Sequence, residues 1–250
     1  MQATEGNVGY AHDVVADVVF AQFSKAIRGT LLGKWKAEGF SLASMEMAAD
    51  AVQYQHPNPN VAPGLDPDLF YVGGYWAYKA QNIDKYLLPL LRETENKVLI
   101  GRGWPGLVTG ECSEEQVGQY FKDAKVSPNI HEPHSTLGGY DVVERVFKSI
   151  YCGGLCISDH VEEMEMGFGL KDGTHLITAH NVEDYQCLVE EAIAIPDAYM
   201  DVREQGQKYV ARYHTYFNRA LNLLLELGLL IEYEDAQKKL YKWHQEIGLA

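Results

Sequence analysis

The chain contains 250 residues, which is enough for one large α/β domain or two small ones. Its composition, 46% hydrophobic and 22% charged, is ordinary for a globular protein. The formal net charge of -14 argues against a broad nucleic-acid surface, because clustered Lys and Arg side chains drive binding to phosphate backbones. A small basic pocket for one nucleotide is compatible with this charge, since a pair of phosphates needs only a few donors.

No apolar run approaches the ~20 residues that a membrane helix needs. The first residues also lack the basic-then-apolar pattern of a signal peptide, so we expect a cytoplasmic protein without a membrane span. The four cysteines, Cys112, Cys152, Cys156 and Cys187, form no C-x-x-C pair. We therefore expect buried thiols rather than a zinc ribbon or a disulfide scaffold.

Short apolar runs alternate with amphipathic stretches from Asp66 onward. Strands are predicted at 69–72, 98–100, 125–130, 155–158 and 175–178, and helices at 82–92, 113–123, 140–151 and from 181 to the C-terminus, with breaks near Pro196 and Gly228. Ser113 and Asn181 are the predicted caps of two of these helices, and Asn82 of a third. This alternation predicts a doubly wound parallel sheet of the Rossmann-like α/β class.

The N-terminal part has a different pattern. Residues 14–21 are predicted as a strand, 25–38 as a helix and 55–64 as a polar, proline-rich connection. This is too short for an independent Rossmann domain, which takes ~100 residues.

Two glycines, Gly138 and Gly139, follow the strand that ends near residue 130 and precede a helix predicted to begin at Tyr140. A helix N-terminus that is reached through glycines leaves free main-chain N–H groups, which suit a diphosphate. In open α/β sheets, ligands bind at the carboxyl ends of the strands. These three residues are therefore predicted to hold a diphosphate.

The helix that follows turns Val143, Val146, Phe147 and Ile150 towards the core. Glu144, Arg145 and Lys148 then face solvent or ligand. Ion pairs at the surface account for these three charged residues as well as ligand contacts do. Asp141–Arg145 and Glu144–Lys148 are both i,i+4 pairs, which stabilise a helix by ~0.2–0.5 kcal/mol each.

His131 and His134 flank Glu132, a spacing that also occurs in metal sites. The full H-E-x-x-H motif is absent. We therefore favour a loop histidine, His134, that faces a sugar or a phosphate, with no metal bound.

A glycine-rich segment, 101–106, matches G-x-G-x-x-G after a strand, but the next helix cap appears only at Ser113. Since the dinucleotide fingerprint needs a helix that begins within the loop, NAD binding is rejected. We expect instead a loop beside the ligand cleft, with Gly103 near the ligand and Trp104 as a stacking surface.

Gly73 and Gly74 follow the first strand of the sheet, and Lys79 comes five residues later. Two glycines allow close approach of the main chain to a ligand, and the lysine supplies a cation for phosphate. The alternative interpretation is a tight turn with packed aromatic side chains.

Four segments together resemble the C-terminal domain of GT-B glycosyltransferases, in particular the spore-maturation CgeB-like, group 1 family. They are residues 68–73, 98–105, 138–154 and 211–219, within a stretch from 66 to 223. The resemblance implies that this half binds a UDP- or GDP-linked sugar as co-substrate, with no separate cofactor and no metal. It further implies sugar transfer, usually with retention, in which helix-terminal amides and basic side chains stabilise the departing diphosphate.

The resemblance also predicts the organisation of the chain. Residues 1–64 correspond to the end of an acceptor-binding half and a linker, 65–205 to the donor-binding domain, and 206–250 to helices that pack back on the N-terminal part. The rest of an acceptor half would come from further N-terminal sequence or from a partner chain. The acceptor itself stays open.

Carried over to this sequence, the resemblance implies catalytic roles for His134, Arg145 and Lys148. The expected donor-binding residues are Gly73, Gly74, Lys79, Gly103, Trp104, Gly138, Gly139, Tyr140 and Glu144.

The sequence departs from the Glu-x7-Glu motif of related enzymes, whose second Glu holds the ribose. Glu144 takes that place when counted from Gly139, and Lys148 when counted back from Cys152; neither has a carboxylate eight residues earlier. We prefer Glu144. A non-catalytic nucleotide- or sugar-binding module that assembles with a partner is the alternative function, and a metal hydrolase is a third.

Overall fold

The computed structural model describes residues 18–54 and 66–249. The first of these ranges forms a small unit of strand β1 (Val18–Ala21), helices α1 (Lys25–Leu31) and α2 (Gly33–Ala37), and strand β2 (Ser41–Ser44). The two strands are parallel, and Trp35 and Leu32 are fully buried against them. The predicted strand at 14–21 begins before the described residues, and the predicted connection at 55–64 lies wholly outside them.

The second range contains the main parallel sheet. Its strands are β3 (Leu69–Val72), β4 (Lys97–Ile100), β5 (Ser127–Asn129), β6 (Cys156–Asp159) and β7 (Ile177–Ala179). β3 pairs with β4, and β6 lies between β5 and β7. A parallel bridge from Leu69 to Val126 joins the two groups, so the spatial order is β4-β3-β5-β6-β7. The order reverses between β3 and β5, which makes this the switch point of a doubly wound sheet.

Helices cover both faces of this sheet. They are α3 (Ala77–Tyr86), α4 (Leu88–Glu93), α5 (Glu114–Asp123), α6 (Pro133–Gly138), α7 (Glu144–Tyr151), α8 (Glu162–Met166) and α9 (Val182–Ala194). One core contains side chains of α5 and α7, including Phe121 and Phe147, and the other contains side chains of α3 and α9, including Ile83 and Tyr185. Burial of each such side chain contributes about 1.5–3 kcal/mol, so the strands are held from both sides.

Two of the three predicted helix caps are present. Ser113 forms a capping box with Gln116, and Asn181 accepts a hydrogen bond from the Asp184 amide. The cap predicted at Asn82 is wrong, because α3 begins at Ala77 and Asn82 lies inside it. The Asn82 side chain instead donates to the main-chain oxygen of His131 at 3.2 Å.

The C-terminal part is helical: a 3-10 turn (Pro196–Tyr199), then α10 (Met200–Tyr213), α11 (Tyr216–Glu226) and α12 (Leu230–Glu246). α10 packs on α7 of the main sheet, so the predicted domain boundary at 206 falls inside one continuous helix. α11 returns to the N-terminal unit, where Glu226 pairs with Arg28 at 2.7 Å. Among the described helices, none has the length and apolar character needed to cross a membrane.

Candidate functional site

Arg145 lies at the switch point of the main sheet. Its Nε donates to the main-chain oxygen of Val72 at 2.7 Å, and its Nη1 donates to Oδ1 of Asn129 at 3.1 Å. These two residues end β3 and β5, and the guanidinium also lies 4.6 Å from the centre of the Tyr71 ring. Arg145 is thus fixed across the crevice where ligands of doubly wound sheets bind.

Gly73 is required by the position of this arginine. A Cβ on Gly73 would lie 2.7 Å from Nη2 of Arg145, so any larger residue would displace the guanidinium. Gly74 is next to the Trp76 ring, which a Cβ would approach to 3.2 Å. The predicted pair of glycines therefore makes room for protein side chains at the strand end.

Lys79 lies in the first turn of α3 and is only 3% exposed. Burial and the neighbouring Arg145 lower the pKa of Lys79 to about 7, although Glu132 and Asp159 act in the opposite direction. Its Nζ lies 5.0 Å from the centre of the Trp76 ring. Among the described residues, this ammonium group forms no hydrogen bond or ion pair.

Gly138 and Gly139 do not precede a helix as predicted. They end α6, where Gly139 takes a left-handed conformation (φ 74°) and its amide donates to the Ser135 oxygen at 2.8 Å. Gly138 leaves room for the Tyr140 ring, which a Cβ would approach to 2.3 Å. The prediction that the Gly139 amide holds a diphosphate is therefore wrong, because that amide is already bonded.

The helix predicted to start at Tyr140 begins at Glu144, with Val143 at the N-cap and no side chain that caps it. First-turn amides of a helix have no partner within the helix. The N-terminus of this helix is thus four residues further along the chain than predicted, and Arg145 lies in its first turn.

Glu144 and Lys148 lie on a different side of α7 from Arg145. An oxygen of Glu144 accepts a hydrogen bond from the Tyr216 hydroxyl at 3.3 Å, and the other lies 3.9 Å from Nζ of Lys148. That Nζ also lies 5.1 Å from the centre of the Tyr54 ring. The structure therefore separates the two residues from the strand ends that hold Arg145.

His134 is half-buried in the short helix α6, and not in a loop as predicted. Its Nε2 lies 2.9 Å from Oδ2 of Asp141, and its ring stacks on Tyr78 with centroids 6.0 Å apart. Asp141 is thus paired with His134 and not with Arg145, which removes the Asp141–Arg145 ion pair from the two interpretations that the sequence left open.

His131 is paired with a different carboxylate, at the end of β6. Its Nδ1 lies 2.7 Å from Oδ1 of Asp159, and both side chains are buried. His131 and His134 therefore do not converge, and the described ranges contain no group of three or more side chains arranged to hold a metal.

Trp104 is not a stacking surface, and that prediction is wrong. The residue is 7% exposed, its ring packs edge-on against Tyr71, and its Nε1 donates to the Gly73 oxygen at 2.9 Å. Gly103 allows two loops to touch, since a Cβ there would lie 2.4 Å from the Tyr75 oxygen. The exposed rings at this edge are Trp76 and Tyr78.

Sequence reasoning missed Asn129, Asp159 and Glu163. The first two end β5 and β6, and a polar residue at the end of an apolar strand was the available signal. Glu163 is buried in α8 and has no such signal, because its partners come from distant segments.

The fold is that of GT-B glycosyltransferases, which confirms the predicted fold class. The chain aligns over 94% of its length with sucrose-phosphate synthase from Thermosynechococcus elongatus (TM-score 0.63, 14% identity), and spans 63% of that protein. It aligns over 95% with a mutant of T4 phage BGT in complex with UDP-glucose (TM-score 0.55, 12% identity, 69% of that protein). It aligns over 86% with α,α-trehalose 6-phosphate synthase from Burkholderia multivorans (TM-score 0.56, 10% identity, 60% of that protein).

Residues 85–225 match the model of the "Glycosyl transferase-like" family. This match covers more than half of the chain, so the chain belongs to that family. The CgeB-like group stays a prediction. A comparison with curated proteins found no match.

Proposed function

We propose that this chain binds a nucleotide-sugar through its diphosphate and transfers the sugar to an acceptor. The observation that carries the proposal is Arg145, which main-chain and amide oxygens fix at the switch point while its Nη2 makes no hydrogen bond within the described residues. Lys79 supports it, because a buried ammonium group without a hydrogen bond lies near the same guanidinium.

Chemically, Arg145 lies in the first turn of α7, and Lys79 is close enough for the two side chains to interact electrostatically. A diphosphate would gain hydrogen bonds from Nη2 of Arg145, from Lys79 and from the first-turn amides of Glu144 and Arg145, whereas the Val146 amide already donates to the Val143 oxygen. As the sugar leaves, the bond between its anomeric carbon and the diphosphate oxygen breaks, and the acceptor oxygen bonds to that carbon. Negative charge then grows on the diphosphate, so the same donors stabilise the transition state more than the ground state.

Two further roles belong to this proposal. Glu144 accepts hydrogen bonds from the ribose: its partly exposed carboxylate lies in the first turn of the same helix, on the side of Tyr216, so the ribose would extend from the diphosphate around the helix N-terminus. His134 lies near the transferred sugar, since it is held by Asp141 in the loop just before that helix. Retention of configuration and independence from metal are expected from the family resemblance and are part of the proposal.

A non-catalytic binding module is the second candidate function. One fact favours it: Lys148 stands at one of the two positions counted for the ribose-binding Glu. Both candidates bind the nucleotide-sugar, but only the transferase cleaves it.

Calorimetric titration of UDP-, GDP- and TDP-sugars tests donor binding. We expect saturable binding of at least one donor, and a dissociation constant raised about tenfold to a hundredfold in Arg145→Ala, because charge-assisted hydrogen bonds are lost. Arg212→Ala, a change at an exposed arginine of α10, is the matched control and should bind as the wild type does. Absence of binding to every donor overturns the proposal.

Release of the nucleoside diphosphate separates the two candidates. The transferase releases it from the donor, whether water or an added glycan accepts the sugar. Binding without any release, also in the presence of a panel of added glycan acceptors, would favour the binding module.

A further inference from the structure

Glu163 joins three segments of the chain through a buried carboxylate. The residue is 1% exposed, and its Oε1 accepts a hydrogen bond from the Ser24 amide at 2.7 Å. Its Oε2 accepts one from the Asp141 amide, also at 2.7 Å, and its own amide donates to the Gly139 oxygen at 2.9 Å. Ser24 belongs to the N-terminal unit, whereas Gly139 and Asp141 belong to the loop before α7.

Asp141 needs such support, because its backbone is unfavourable. It has a φ of 70°, the only positive φ among the described residues other than glycine. A non-glycine residue in this region is strained and persists only where its surroundings hold it. The hydrogen bond from its amide to Glu163 holds the backbone in this conformation, while its side chain pairs with His134.

The position of Asp141 in turn determines that of His134, since their side chains lie 2.9 Å apart. The same loop leads directly into the first turn of α7. Beside it, the Tyr140 ring packs edge-on against Phe23 of the N-terminal unit, with centroids 5.3 Å apart. The loop therefore contacts the N-terminal unit directly through Tyr140, and it is linked to Ser24 only through Glu163.

We propose that Glu163 is a positioning residue, which couples the N-terminal unit to the loop before α7 and so holds His134 and the anion-binding end of that helix in place. The inference deepens the proposed function and rests on it for the link to donor binding. The coupling itself concerns only the contacts of Ser24, Asp141 and Glu163.

A glutamine cannot replace this carboxylate. Glu163 accepts one amide on each oxygen, whereas glutamine has one oxygen and one NH2 group. The NH2 group would face a main-chain N–H, which leaves one buried donor without an acceptor. Glu163→Gln therefore removes one of the two links while it changes the side-chain volume very little.

Ser24→Pro tests the same coupling from the other end. Ser24 has a φ of -61°, which proline also adopts, and its N–H donates to Glu163. Proline has no N–H, and its ring Cδ would occupy the space between the nitrogen and Oε1 of Glu163, so this change removes the hydrogen bond and displaces the carboxylate while every residue of the loop stays as in the wild type. Glu165→Gln, at an exposed position of the same helix, is the matched control.

Hydrogen exchange of the Asp141 amide is the first readout and needs no ligand. We expect exchange at least about tenfold faster in Glu163→Gln and faster than wild type in Ser24→Pro, with Glu165→Gln unchanged. Unchanged exchange at Asp141 in folded Glu163→Gln or in Ser24→Pro overturns the coupling, whatever the protein binds.

Donor binding and turnover are the second readout. We expect the dissociation constant of the nucleoside diphosphate to rise about tenfold in both variants, and kcat to fall further, because His134 also moves. If the wild type binds no nucleoside diphosphate, the proposed function fails while exchange still tests the coupling. If exchange accelerates but binding and turnover stay at wild-type values, Glu163 stabilises the loop only and the positioning role is overturned.

Discussion

Oδ1 of Asp159 accepts a hydrogen bond from Nδ1 of His131 at 2.7 Å, at the ends of two adjacent parallel strands. The same carboxylate accepts the His131 amide at 3.0 Å and the Thr136 hydroxyl at 3.2 Å. This places the proton on Nδ1, and Nε2 has no partner among the described residues. Asp159 thus ties the β5–α6 connection to the end of β6.

We expect Asp159→Asn to lower the free energy of unfolding by about 2–3 kcal/mol, because a buried charged acceptor is lost. An asparagine has one acceptor oxygen, so either the His131 pair or the Thr136 hydroxyl would face an NH2 group. Urea denaturation followed by circular dichroism measures the change. Asp197→Asn, at an exposed position, should change the free energy little; equal effects in both variants would contradict the explanation.

The lowered pKa of Lys79 leads us to expect that the free energy of unfolding depends on pH. Its pKa in the folded protein, about 7, lies below the ordinary value of 10.5, so the unfolded chain binds more protons between these two values. The free energy of unfolding therefore gains a contribution that rises with pH from about 7 to about 10. Lys79→Met should flatten this rise, whereas Lys85→Met, at an exposed position of α3, should leave it as in the wild type.

The same residue predicts proton uptake on binding. A diphosphate next to Lys79 favours its charged form, so at pH 8 the complex should take up most of a proton from the buffer. Calorimetry in buffers of different ionisation enthalpy measures this uptake directly. Uptake that is identical in wild type and Lys79→Met would remove Lys79 from the diphosphate site.

Gly101 predicts a large loss of stability on substitution. A Cβ there would lie 2.2 Å from the Gly73 oxygen, so the β3 and β4 loops would have to separate. We expect Gly101→Ala to cost about 3 kcal/mol or more. Gly106→Ala is the matched control, because Gly106 also has a positive φ (67°) but a Cβ there meets nothing within 4 Å.

The control should cost only about 1–2 kcal/mol, which is the penalty for the backbone conformation alone. Chemical denaturation of both variants gives the difference. Equal costs would mean that the close approach of the two loops contributes nothing to stability.

Features that depend on residues close together in the sequence were predictable, and contacts between distant segments were not. The parallel sheet, the caps at Ser113 and Asn181 and the connection after β3 were predictable, because strand period, helix period and capping are local patterns. The sequence also predicted that the Arg145 side chain lies outside the apolar face of α7. Its contacts with Val72 and Asn129 were not.

The two glycines at 138 and 139 show the limit of a local pattern. Glycines mark a helix boundary, but they occur both where a helix ends and where a loop leads into one. The amide of Gly139 bonds to Ser135, so a helix ends here. The short helix α6 was not predicted, because its six residues are too few to show a periodic pattern.

The sequence by itself determined the class of fold, the order of its elements and the segments that meet at the strand ends, since each follows from neighbours a few residues apart. Only the tertiary structure decided which side chains face one another there. Glu163 accepts hydrogen bonds from the amides of Ser24, which is 139 positions away in the sequence, and of Asp141, which is 22 positions away. Burial makes both hydrogen bonds strong. Such pairings depend on how distant segments pack, and no local pattern of residue types carries that information.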